Sequence, residues 1–152
     1  MTTADNSDRH MPVRANMSYD EMLRVLEDYP IHVDEYALPE HVCGLYDESI
    51  ATIAIDANMI EVQKKCTLVH ELFHWVHADD SCEWLSHKTT ELRTQRETAI
   101  MMINQTKYIA AEREYDGEHY LIACELDVTV SLVDMYRSML EGHQLPIRYR
   151  NK

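Results

Sequence analysis

Glycine and proline are scarce in this chain, three and four among 152 residues. Turn-rich all-β architectures draw on both, so the shortage disfavours a β-sandwich and points to long helices joined by few tight turns. Cysteine is sparse and scattered. Cys43, Cys66, Cys82 and Cys124 form no CxxC pair, which argues against a disulfide framework or a cysteine zinc knuckle and suits reduced thiols in a cytosol. Positive charge is short too: the formal charge is −13, and apart from the terminal "RYRNK" there is no basic block. Such a surface repels phosphate backbones, so direct nucleic-acid binding is not expected. The chain has no run of roughly eighteen apolar residues, the length a membrane helix needs. Its opening "MTTADNSDRHMPVRAN" also lacks the apolar core of a signal peptide. A cytoplasmic protein without membrane contact is the expectation.

What is present suffices for one domain, since a chain of this length buries about two thirds of the surface it exposes unfolded. Residues 1–16 are expected to be disordered, 17–146 to form the single domain, and 147–152 to be a flexible basic tail. "SYDEMLRVLEDYP" places Ser18 and Glu21 at capping-box spacing, with Met22, Val25 and Leu26 apolar and Pro30 as a stop, so a helix is expected over about 18–29. Short β-prone runs follow at 31–33, 41–46 and 51–55, the last two separated by the turn-like "DES". From Asn58 the period changes. Val62, Cys66, Val69, Phe73 and Val76 recur at steps of four and three, the stripe of a long helix. Beyond a loop through "ADDSCEWLSHK" the pattern predicts helices over 89–103 and through "TKYIAAEREY", the latter ended by Asp116 and Gly117. Two short helices then join at Asp127 to Thr129, with Thr129 as N-cap and Gly142 as stop. The class is α+β, mainly helical.

The long helix carries "HELFH". Side chains four apart stand roughly 6 Å apart on one helical face, so His70 and His74 can converge on one metal. Zinc takes imidazole nitrogen readily, and its catalytic sites use three protein ligands with a fourth position open. Glu71 is turned about 100° around the axis from His70, off the metal but within reach of an attacking water, which is the placement of a general base. With nine His and fifteen Glu in the chain, an HExxH arises by chance roughly one time in twenty, so the pattern alone is weak. Its position mid-helix strengthens it. His77 continues the histidine stripe, but three imidazoles along a straight helix cannot all face one small ion, so a hydrogen-bonding or surface role is expected for it. A third ligand is expected from the next helix, where Glu91 and Glu97 both qualify. Asp79, Asp80 and Glu83 lie in the connecting loop, and composition does not choose among these acids.

The segment "ATIAIDANMIEVQKKCTLVHELFHWVH" resembles the ImmA/IrrE metallopeptidases, bacterial gluzincins with a strand, a short link and a helix reading T-L-x-H-E-L-x-H. Their second-helix pattern, E-x-x-A-[ND]-x-x-A-A-x-L-L, is similar to "ELRTQRETAIMMI" when Ala99 takes the second alanine and Met101 and Met102 the leucine pair. "IACELDVT" resembles the family's I-A-x-E-L-x-V-T ending. The resemblance runs from about Ser18 to the last helix. It implies a zincin-like domain with a small sheet packed on the HExxH helix, and zinc held by His70, His74 and Glu91 with Glu71 as catalytic base. It also implies cleavage of a protein substrate, a helix-turn-helix transcriptional repressor of a mobile element or stress response. Gluzincins bind substrate along a sheet edge, and the edge is expected within 51–55. Substrate-contacting side chains are not assigned, nor is an oxyanion donor among Tyr108, Tyr115, His119, Tyr120 and Tyr149. Phe73 stands where the family has glycine, Thr94 and Gln95 replace Ala and Asn or Asp, and Asn104 stands near a common Pro. None of these removes a ligand. Two other readings compete: a non-hydrolytic zinc-binding regulatory or toxin-like protein, and a DNA-binding helix-turn-helix in "IACELDVTVSLVDMYRSML". The latter stretch carries Glu125, Asp127, Asp134 and Glu141 against Arg137 alone, which ill suits phosphate contact.

Overall fold

A capping box starts the first helix as the sequence predicts. Ser18 Oγ accepts from the Glu21 N–H, and Glu21 Oε2 accepts from the Ser18 N–H at 2.9 Å, opening α1 (Tyr19–Leu26). The helix ends earlier than Pro30 requires, because the N–H groups of Glu27, Asp28 and Tyr29 turn to carbonyls three residues back. The computed structural model describes residues 8–79 and 87–142. After α1 come β1 (His32–Tyr36), β2 (Gly44–Asp47) and β3 (Thr52–Asp56), then α2 (Glu61–Val76), α3 (His87–Met102), α4 (Gln105–Glu114), α5 (His119–Leu126) and α6 (Val130–Glu141). The architecture is α+β and mainly helical.

The sheet has the order β1-β3-β2, with β1 parallel and β2 antiparallel to β3. The expected edge strand within 51–55 is therefore corrected: β3 is central, and β1 and β2 are the edges. The reason is β1, which extends to Tyr36 and pairs from His32 opposite Thr52 to Tyr36 opposite Asp56, covering the side of β3 away from the hairpin. Alternation along β3 sends Ile53 and Ile55 inward. Their partners Tyr46 and Gly44 share that face by register. α2 packs on β2 and β3.

The buried side of α2 is centred on Leu68, Val69, Leu72 and Trp75. The stripe expected through Val62, Phe73 and Val76 is shifted, for those three are only half-buried. α2 is apolar over much of its circumference, so periodicity alone misplaces the deepest face.

Residues 8–16, expected to be disordered, belong to the fold. Val13 is buried, and the Arg9 guanidinium donates to both carboxylate oxygens of Glu48 at 2.9 and 3.0 Å and to the Trp75 carbonyl at 2.8 Å. It also lies 5.3 Å from the centroid of the Trp75 ring. Residues 1–7 and the expected tail 147–152 lie outside the described residues.

One domain is expected over 17–146; backbone contacts instead group the chain into two compact units, Met1–Thr94 and Gln95–Lys152, with the division inside α3. The second unit buries Tyr108, Ile122, Val133, Tyr136 and Met139, with the Tyr108 and Tyr136 rings 4.9 Å apart. Its caps follow the sequence: Asn104 Oδ1 accepts from the Lys107 N–H, Thr129 caps α6 and Gly142 ends it. Asp127 joins α5 to α6 in the left-handed region at φ 53°.

Burial resists ionisation of Glu48, but the bonds from Arg9 and Tyr46 and the charge of Arg9 together outweigh it and hold the carboxyl below its ordinary value of 4.5. A depressed carboxyl stabilises the fold above its unfolded value, and that contribution disappears as pH falls through the folded one. Arg9→Met is expected to lower stability by about 1–3 kcal/mol at pH 7. In urea titrations across pH, the difference from wild type should shrink below about pH 4.5.

Candidate metal centre

α2 begins without a side-chain cap on Ile60, whose N–H is instead accepted by Gln63 Oε1 at 3.2 Å. From there the roll of the helix is set by its buried apolar face. That roll brings His70 and His74 out on one flank, their ring centroids 5.1 Å apart and their planes inclined by 70°. His74 is fully buried, and the side chain of His70 retains 19% of its exposure. On α3, Glu91 faces both rings. Its Oε2 lies 3.0 Å from His70 Nε2 and its Oε1 2.7 Å from His74 Nε2.

One potential ligand atom from each of the three side chains lies within 4.8 Å of the others, and among the described residues this is the group of His, Cys, Asp and Glu that converges so. Two imidazole nitrogens and one carboxylate are a zinc donor set that leaves a coordination position open. The Nε2 atoms of both rings point to the same carboxylate, so the residues present fit a single ion. Burial of Glu91 opposes its charge, but bonds from His70 and His74 more than offset it, and the carboxyl sits far below its ordinary range. It is therefore ionised throughout neutral pH and could serve a metal as an anionic ligand.

Glu71 is buried on the sheet side of α2. A Cβ placed on Gly44 would stand 2.6 Å from Thr67 Cγ2, 3.2 Å from the Ala54 carbonyl oxygen and 3.2 Å from Glu71 Cγ. Gly44 thus lets the edge strand β2 lie directly against the turn of α2 that carries Glu71.

The other candidates fall elsewhere. His77 is the exposed C-cap of α2 and stays outside the cluster. Glu97 lies in the second unit, half-buried, and is not among the three. Asp79 lies beside His74 but on its Nδ1 side, 3.6 Å away. Asp80 and Glu83 are outside the described residues. Phe73 is half-buried at the margin of the helix packing. Of the oxyanion candidates, Tyr115 donates to Glu125 at 3.2 Å and His119 bonds Asp134; Tyr149 is outside the described residues, and no donor is assigned. Two residues near the site escaped the sequence reading. Gly44 carried a signal, being one of three glycines and sitting in a β-prone run. Arg9 carried none, because its partners are distant in sequence. Comparison with family models, curated proteins and solved structures gives no match.

Gly44→Ala is expected to destabilise the protein by about 1–3 kcal/mol through overpacking against Thr67. Adding Thr67→Ser, which removes Cγ2 and keeps the hydroxyl, should recover part of the loss in the thermal midpoint.

Proposed function

We propose that this chain is a zinc-dependent endopeptidase acting on a protein substrate. The observation that carries the reading is the convergence of His70 Nε2 and His74 Nε2 on the Glu91 carboxylate, with Glu71 on the same helix. The ImmA/IrrE resemblance points the same way and suggests a helix-turn-helix repressor of a mobile element or stress response as substrate, in a reduced, cytoplasmic setting.

Zinc bound by this set supplies Lewis acidity, polarising a peptide carbonyl and making water acidic enough to attack it near neutral pH. The chain's own residues do the rest. His70, His74 and Glu91 are the ligands. Glu71, held between the sheet and α2, takes the proton of the attacking water and passes it to the leaving amine. β2, an edge strand packed on α2, is placed to take an extended peptide along its outer side near Glu71.

DNA binding is the weaker reading. Arg137, the one basic residue of the α5–α6 pair, bonds His119 and lies 3.4 Å from Glu141, so its charge is already engaged within the unit. Among the described residues no helix is long and apolar enough to cross a membrane.

Titration of metal-stripped protein with zinc should give one tight site in the wild type and in Glu71→Gln, weakened at least 100-fold in His74→Ala. Incubated with a helix-turn-helix repressor of the class the resemblance implies, taken from its own genomic neighbourhood, the wild type should cut and Glu71→Gln should lose about 10³-fold or more in rate. Zinc binding without cleavage in the wild type would favour the non-hydrolytic regulator.

A further inference from the structure

The way α2 ends brings one more acid to the metal centre. His77 is the C-cap of α2, and Ala78 turns into the left-handed region at φ 54°. Two backbone bonds close the end: Ala78 N–H to the Trp75 carbonyl at 3.1 Å and Asp79 N–H to the His74 carbonyl at 2.8 Å. These are the paired bonds of a Schellman stop, built here on alanine where glycine is usual. The longer of the two loops folds Asp79 back over the residue it bonds, and that residue is a metal ligand. Asp79 Oδ2 lies 3.6 Å from His74 Nδ1. The ring is fully buried, its Nε2 faces Glu91, and among the described residues Nδ1 has no hydrogen-bond partner. The same Asp79 oxygen is held by Arg93, two residues beyond Glu91 on α3.

We propose that Asp79 is a positioning residue of the metal centre: it accepts the Nδ1–H of His74 and so fixes the tautomer and ring orientation that present Nε2 to the ion. The inference rests on the reading of His70, His74 and Glu91 as ligands. A histidine that gives one nitrogen to a metal normally donates its other N–H to a carboxylate or carbonyl. In a fully buried ring that donor cannot turn to solvent, and among the described residues Asp79 is the acid on its side. A shift of roughly half an ångström brings the carboxylate into hydrogen-bond range. Arg93 holds the Asp79 carboxylate in place, and the pair ties the end of α2 to the helix that carries Glu91.

The test measures zinc affinity by chelator competition in wild type, Asp79→Ala, Asp79→Asn and His74→Ala, together with long-range proton–nitrogen spectra of the imidazoles in the zinc-loaded proteins. Asp79→Ala should bind zinc 10–100-fold more weakly and lose the slowly exchanging His74 Nδ1–H signal. Asp79→Asn keeps shape and an acceptor oxygen, so it should fold and fall between. Thermal midpoints of the metal-free variants read the helix end separately. Wild-type zinc affinity and an intact Nδ1–H signal in Asp79→Ala would overturn the proposal, and a loss confined to the thermal midpoint would reduce Asp79 to a helix-end residue. A wild type that binds zinc no better than His74→Ala would instead overturn the metal-site reading itself.

Discussion

The roll of α2 about its own axis is the constraint on which the rest depends. Leu68, Val69, Leu72 and Trp75 are buried where the helix packs on β2 and β3, whose inward face carries Ile53, Ile55 and Tyr46. Each such side chain contributes about 1.5–3 kcal/mol when withdrawn from water, so turning the helix by even one residue's angle would cost several kcal/mol. With the roll fixed, the 3.6-residue period leaves no freedom to the polar positions between. Glu71 is pressed towards Gly44 on the sheet side, while His70 and His74 emerge together towards Glu91. The separation of Glu71 from the His70–His74–Glu91 cluster follows from apolar packing.

Two features keep that roll from drifting. The lack of a side chain at Gly44 lets β2 approach α2 at Thr67 and Glu71, and a methyl group there would force them apart. At the other end, Arg9 grips the last turn of α2 through the Trp75 carbonyl and anchors it to Glu48, which also accepts from Tyr46 of β2. A further tie runs from α2 to the first strand, where Lys64 Nζ lies 2.8 Å from Glu35 and Tyr19 of α1 donates to the same carboxylate at 3.0 Å. Lys64 holds Glu35 below the ordinary carboxyl range, so this tie persists at neutral pH and weakens in acid. Charge in an otherwise acidic chain is therefore spent on aligning α2.

Much was legible in the sequence because it is local. Ser18 with Glu21, Thr129 and Gly142 mark helix ends through bonds spanning three or four residues, and they do so in the structure as in the pattern. The β2–β3 hairpin follows from two β-prone runs and the short turn between them. What failed was non-local or ambiguous. Nothing in 31–36 announces that β1 runs on to Tyr36 and covers the far side of β3, so the pattern alone makes the central strand look like an edge. The stripe on α2 was drawn through Phe73 because apolar residues surround the helix, and only the sheet decides which of them are deepest. Arg9 stood in a polar segment indistinguishable from a tail.

By itself the sequence determined that His70 and His74 share a helical face with Glu71 turned aside, since that follows from helix geometry at fixed spacing. It also pointed to the next helix, with Glu91 or Glu97, for an acid to join the two histidines. Which acid meets the two rings, and from which side Asp79 approaches His74, only the tertiary structure decided. Both depend on where the chain returns after leaving α2. That return is set by the burial of whole faces and by a left-handed turn at Ala78, a conformation alanine seldom adopts and no local pattern predicts.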